Sequence, residues 1–104
     1  MHRSPSIVHY FLFLALVLQH SIPLFAQQST ASSQVSTFTM DAPQLQGTKK
    51  IWLYLPKGYE NSTQNYPVIY MHDGQNLFDK ATSYIEEWSV DELLDSLSAP
   101  VIVV

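Results

Sequence analysis

The sequence has 104 residues, a formal net charge of −4 and no cysteine. Its acids outnumber its lysines and arginines nine to five, which excludes a basic groove for nucleic acid. Without cysteine no disulfide can form, so the core alone must hold the fold.

The first segment reads as a targeting signal. Arg3 lies in a short basic start, Ile7 to Leu18 is almost wholly apolar, and Pro23-Leu24-Phe25-Ala26 precedes a polar run that begins Gln27-Gln28. This is the layout of a secretory signal peptide over residues 1–26, cleaved after Ala26, and it predicts a secreted or periplasmic protein. Leu24 is larger than the small residue usual three positions before a cut. A membrane anchor is the rival reading. The apolar core ends at Gln19-His20 after about a dozen residues, short of the roughly 20 that span a bilayer, so no stable span is expected once the signal is removed. No cysteine follows the apolar stretch to carry a lipid.

Residues 27–34 are Gln, Ser, Thr and Ala and read as a solvated linker. Val35 to Met40 predicts a weak strand, with Phe38 and Met40 on one face, broken by Asp41-Ala42-Pro43. Gly47 marks a turn. Lys49 to Leu55 predicts a better strand, with Ile51, Leu53 and Leu55 on one face, Trp52 and Tyr54 on the other, and cover on both sides. Pro56-Lys57-Gly58-Tyr59 is turn chemistry and leads into a polar loop. Within it Asn61-Ser62-Thr63 matches a glycosylation acceptor, a short and common pattern for which loop polarity is the simpler account.

Tyr66 to Met71 is short, β-branched and aromatic, and it predicts a buried strand with Pro67 near its start, where a missing N–H is tolerated. It stops at the polar loop His72-Asp73-Gly74-Gln75-Asn76. In open α/β sheets ligands bind at the carboxyl ends of strands, so this loop is a candidate site wall. Further on, Ser89 and Glu92 have capping-box spacing, with Asp91 and Glu92 at the positive end of the helix dipole. Val90, Leu93, Leu94 and Leu97 recur at i, i+3, i+4 and i+7, which predicts a helix over Ser89–Ser98 docked by that face and ended by Pro100. Pro100 to Val104 reads as a central parallel strand buried on both faces. From Tyr66 onward the pattern is a βαβ unit with a right-handed crossover expected. A chain ending inside such a strand is expected to be the N-terminal part of a longer protein.

Three blocks in order, Leu45 to Tyr59, Tyr66 to Asp79 and Glu87 to Glu92, resemble the putative esterase family of α/β-hydrolases. That family includes siderophore esterases, feruloyl and acetyl-xylan esterases and S-formylglutathione hydrolase relatives. The resemblance covers about Leu45 to Val104. It implies an α/β-hydrolase fold, here its N-terminal portion over residues 35–104, with antiparallel first strands and a mostly parallel sheet. It also implies a serine esterase with a Ser-His-Asp or Glu triad, a small-molecule or carbohydrate-linked ester as substrate, and no cofactor. The nucleophile of such enzymes sits on a Gly-x-Ser-x-Gly elbow. The only glycines are Gly47, Gly58 and Gly74, and His72 is the only histidine after the leader, so no member of the triad is expected in this chain and the fragment alone should be inactive.

One catalytic element is expected. One oxyanion donor in α/β-hydrolases is a backbone N–H in the loop after the third strand, which by position is His72 to Asn76. Gly74 should let the chain turn; the N–H of Gln75 is the first candidate donor and that of Asn76 the second. His72 and Asp73 are read as loop-shaping residues. Adjacent residues on a strand end point apart, and one histidine with one carboxylate is too small a ligand set for zinc, so no metal site is expected. Asp73 and Asp79 read as loop-bracing carboxylates, and Glu86 and Glu87 as a solvated charge pair. Trp88 is a candidate for the substrate pocket, against plain packing before a helix. Two other readings stand beside the esterase. One is a secreted non-catalytic carbohydrate-binding β-module with Trp52 and Tyr54 as its platform, and the other a hydrolase-fold protein without activity.

Overall fold

The computed structural model describes residues 25–104; the predicted leader lies almost wholly outside them. Two long strands, β1 (Val35–Ala42) and β2 (Gly47–Tyr54), form an antiparallel hairpin in full register, Val35 facing Tyr54 and Ala42 facing Gly47. β1 runs through Asp41-Ala42 and stops at Pro43, which opens a 3-10 turn over Pro43–Leu45. The left-handed residue of that turn is Gln46, at φ 53°, rather than Gly47. Beyond β2, Gly58 adopts φ 84°, a conformation that a side chain resists, before a second 3-10 turn at Tyr59–Asn61.

The remaining elements are short. β3 (Val68–Ile69), helix α1 (Gly74–Leu77), helix α2 (Val90–Leu97) and β4 (Ile102–Val103) follow in order. The sheet order is β1-β2-β4-β3, with β2 antiparallel to β4 and β3 parallel to β4. The expected antiparallel first strands and βαβ unit are present, but only β3 and β4 are paired parallel, so the sheet among the described residues is mixed rather than mostly parallel; it suits part of an α/β fold. Pairing runs past the labelled ends of β3 and β4, because the Ile102 N–H donates to Pro67 O, the Val104 N–H to Ile69 O and the Met71 N–H to Val104 O.

One face of the sheet carries the core. Tyr54 and Val103 face each other, and Leu77 and Phe78 from α1 and its end close over them, all four at most 1 % exposed. Val35, Trp52, Met71, Val90 and Leu94 pack around this cluster. Cover of β2 on both sides is not found among the described residues. Its first half is exposed, and Phe38 and Met40, which register places beside Ile51 and Lys49, are about half exposed. β3 is likewise not buried, with Val68 and Ile69 at 42 % and 46 % exposed, because it is an edge strand beside β4 among the described residues. Of β4, Val103 is buried and Ile102 half-buried.

Helix α2 occupies its predicted span but differs at its cap and its face. Ser89 is left-handed at φ 51° and its side chain makes no capping bond, so the capping box is not formed. Only Val90 and Leu94 of the apolar set reach the core, while Leu93 and Leu97 are mostly exposed. Asp91 is fully buried in their stead. The helix is rolled toward its carboxylates because they have partners there: Asp91 Oδ2 accepts the Ser32 N–H at 2.7 Å, and Asp95 accepts the Tyr54 hydroxyl at 2.8 Å and that of Ser32 at 2.6 Å. Residues 27–34 are mostly exposed, as a linker should be, yet these bonds make them a strap laid along α2. Among the described residues no helix is long and apolar enough to cross a membrane.

Candidate active-site loop

The polar loop sits where the sequence places it, at the carboxyl end of β3. The chain turns at Asp73, which adopts φ 58°, a left-handed conformation that aspartate tolerates better than most side chains. Gly74 is therefore not the turning residue. Its smallness serves a close approach instead, since a Cβ there would lie 2.9 Å from Trp52 Cε3 and 3.3 Å from Cδ2. The opening of α1 rests directly on the indole face. The ring also carries the Lys50 ammonium 4.8 Å from its centroid, a cation–π contact.

The two candidate donors have different fates. The Asn76 N–H donates to Asp73 O at 2.8 Å and is occupied, whereas the Gln75 N–H has no partner among the described residues. The Asp73 side chain does not cap the helix, so that N–H stays open. The rest of α1 is anchored from behind. Thr82 Oγ1 donates to Gln75 O at 2.7 Å, the Tyr84 N–H to Asn76 Oδ1 at 3.0 Å and the Trp88 N–H to Asn76 O at 2.9 Å. Asn76 thus clamps residues 84–88 with its side chain and its carbonyl, a role that its type alone does not announce.

A cleft of about 560 Å³ opens beside the loop, lined by Lys50, Trp52, Met71, His72, Gly74 and Gln75 among others. His72 and Asp73 are exposed, and His72 makes no side-chain hydrogen bond among the described residues. Trp88 does not line this cleft; it is 58 % exposed, and its backbone joins the Asn76 clamp. Tyr54, half of the imagined carbohydrate platform, is buried. Among the described residues no group of three or more His, Cys, Asp or Glu could hold a metal ion.

The carboxylates around the strap have defined environments. Burial acts to raise the pKa of Asp79, but hydrogen bonds from the Ser29 hydroxyl and the Ala81 and Thr30 N–H groups, with the charge of Lys50, outweigh it and hold the group below the ordinary carboxylate value. Asp79 thus braces its loop and the strap together. Tyr54 is pushed up to about 12, first by burial and then by its bond to Asp95 and the charges of Asp95 and Asp91.

A mixed sheet with a polar loop at a strand's carboxyl end is compatible with part of a fold of the α/β class, in which that end is where ligands bind. Within that class, residues 42–104 match the family described as Putative esterase, and the chain belongs to that family. Ester hydrolysis is the activity class this membership supports. Searches of curated proteins and of solved structures return no match.

Proposed function

We propose that this chain is the N-terminal part of an exported serine carboxylic-ester hydrolase with an α/β-hydrolase fold. The match to an esterase family over residues 42–104 carries the reading. In it the Gln75 N–H is one of two oxyanion donors, held open at the start of α1, and the serine, acid and histidine follow Val104. The ester carbonyl enters the cleft beside Trp52, and serine attack generates an oxyanion that the Gln75 N–H stabilises. A preorganised donor of this kind lowers the barrier by roughly 3 kcal/mol. The second donor is the N–H after the nucleophile; the oxyanion collapses and expels the alcohol, which takes the serine's proton by way of the histidine, and water then cleaves the acyl-serine to the free acid and the serine. The leader directs the protein to the periplasm or the exterior, and the substrate is a small-molecule or carbohydrate-linked ester.

The test is the polypeptide that continues from Val104. A Gly-x-Ser-x-Gly within roughly two βα units and a later histidine are expected, and p-nitrophenyl acetate should be turned over by the whole protein but not by its Ser→Ala variant. A folded whole protein that lacks the elbow would establish the inactive hydrolase-fold reading in its place.

A further inference from the structure

The strap before β1 is bonded to four carboxylates. Ser29 Oγ donates to Asp79 Oδ2 at 2.7 Å and the Thr30 N–H to Oδ1 at 3.1 Å. Thr30 Oγ1 donates to Glu87 Oε2 at 2.7 Å, and Ser32 serves Asp91 and Asp95. At its amino end the strap borders an open depression of about 370 Å³, which the exposed Gln27 lines together with Lys80, Tyr84, Glu86, Glu87 and Ser89. Glu87 uses only one of its oxygens. Its Oε1 is buried and, like Asp91 Oδ1, has no hydrogen-bond partner among the described residues, although Lys80 lines the same depression. A buried carboxylate oxygen without a donor is unfavourable, and a cationic N–H is the strongest donor that could satisfy it.

We propose that this depression is a binding site for the α-ammonium of Gln27, created when the leader is cut after Ala26, and that the ammonium donates to Glu87 Oε1. The proposal rests on the leader reading. Hydrolysis of the Ala26–Gln27 bond leaves the water's hydroxyl on the Ala26 carbonyl and one proton on the Gln27 nitrogen, which takes another from solvent at neutral pH. Before the cut that nitrogen is an uncharged amide with a single N–H. Afterwards Glu87 holds the strap by both oxygens, one on Thr30 and one on the new terminus. Because Tyr84 and Trp88, on either side of Glu87, also clamp Asn76, processing stiffens the support of the candidate donor loop as well as the strap.

The experiment takes the exported chain, reads its terminus by mass spectrometry, and follows amide exchange by NMR before and after selective acetylation of the α-amine. Acetylation should speed exchange at Thr30 and Ser32 by about tenfold. Glu87→Gln should give the same acceleration and leave acetylation without further effect, while the amides of Leu53 and Val103 keep their protection. The titration of the terminal amine in the unaltered chain, read by its ¹⁵N shift, should lie above that of an unpaired terminus, and this readout needs no variant. No effect of acetylation, an equal effect in Glu87→Gln, or an unshifted amine overturns the proposal and leaves the leader reading standing. A terminus other than Gln27 overturns both, and a cyclised Gln27 overturns the ammonium site alone.

Discussion

Gly74→Ala tests the packing that holds the candidate donor loop, and the sign of its effect should depend on a second residue. Gly74 has no positive φ, so alanine suits the backbone and by helix propensity alone should add up to about 1 kcal/mol of stability. Against this, the new Cβ would lie 2.9 Å from Trp52 Cε3, so the indole or the helix must move. Overpacking of this kind costs about 1–3 kcal/mol, which after the full propensity gain leaves a net loss of about 0–2 kcal/mol. Trp52→Leu removes Cε3 and Cδ2, and the contact at 3.5 Å to the Trp52 Cβ is ordinary. In that background Gly74→Ala should be neutral or stabilising. The Lys50–Trp52 contact disappears from both Trp52→Leu arms, so it cancels from the cycle. Urea unfolding of the four chains, with equal m-values, measures the coupling. An equal cost in both backgrounds would refute the argument, because the clash would then not be with the indole.

The other predictions concern single groups. Tyr54 has its folded pKa raised from 10.0 to about 12, so the stability it confers is complete below pH 10 and is lost as pH rises from 10 to 12. Phenolate absorbance should follow unfolding in that window, and Tyr54→Phe should abolish the transition while costing about 1.5–3 kcal/mol at neutral pH. Asp79 is depressed, so its contribution is present above the ordinary carboxylate value and is lost as pH falls through its lower folded value. Ser29→Ala should raise that titration, and carboxyl NMR shifts of Asp79 unchanged by the substitution would contradict the assignment. Gln46→Gly should raise the melting temperature by relieving a left-handed side chain, a gain of up to about 1 kcal/mol, and a lowered temperature would show that the turn is not strained.

Much of this architecture was legible because it rests on local chemistry. The alternation in Lys49 to Leu55, the stop at Pro43, the turn at Gly58 and the helical spacing of Val90 and Leu94 each act within a few residues. What was not legible depends on residues far apart in sequence. Ser32 and Asp91 are 59 positions apart, and only their meeting explains why a carboxylate is buried while Leu93 and Leu97 are exposed. The capping box fails for a related reason. Its spacing is correct, but the Trp88 N–H is drawn to Asn76 O and Ser89 enters the left-handed region, where its hydroxyl does not cap the helix.

The same division runs through the site. The position of the loop follows from a strand ending in polar residues, so it was readable. Which N–H stays open is decided by where every other hydrogen bond of the loop goes: Asp73 O takes the Asn76 N–H, Thr82 takes the Gln75 carbonyl, and residues 84–88 take both acceptors of Asn76. α1 is therefore held at its carbonyls, while the Gln75 N–H, like that of Gly74, has no partner among the described residues. A short helix fixed in this way can present a donor without reorganising as charge develops, which electrostatic stabilisation requires. Because that donor is backbone, substituting the Gln75 side chain should matter far less than moving α1 through Gly74 or releasing it through Asn76.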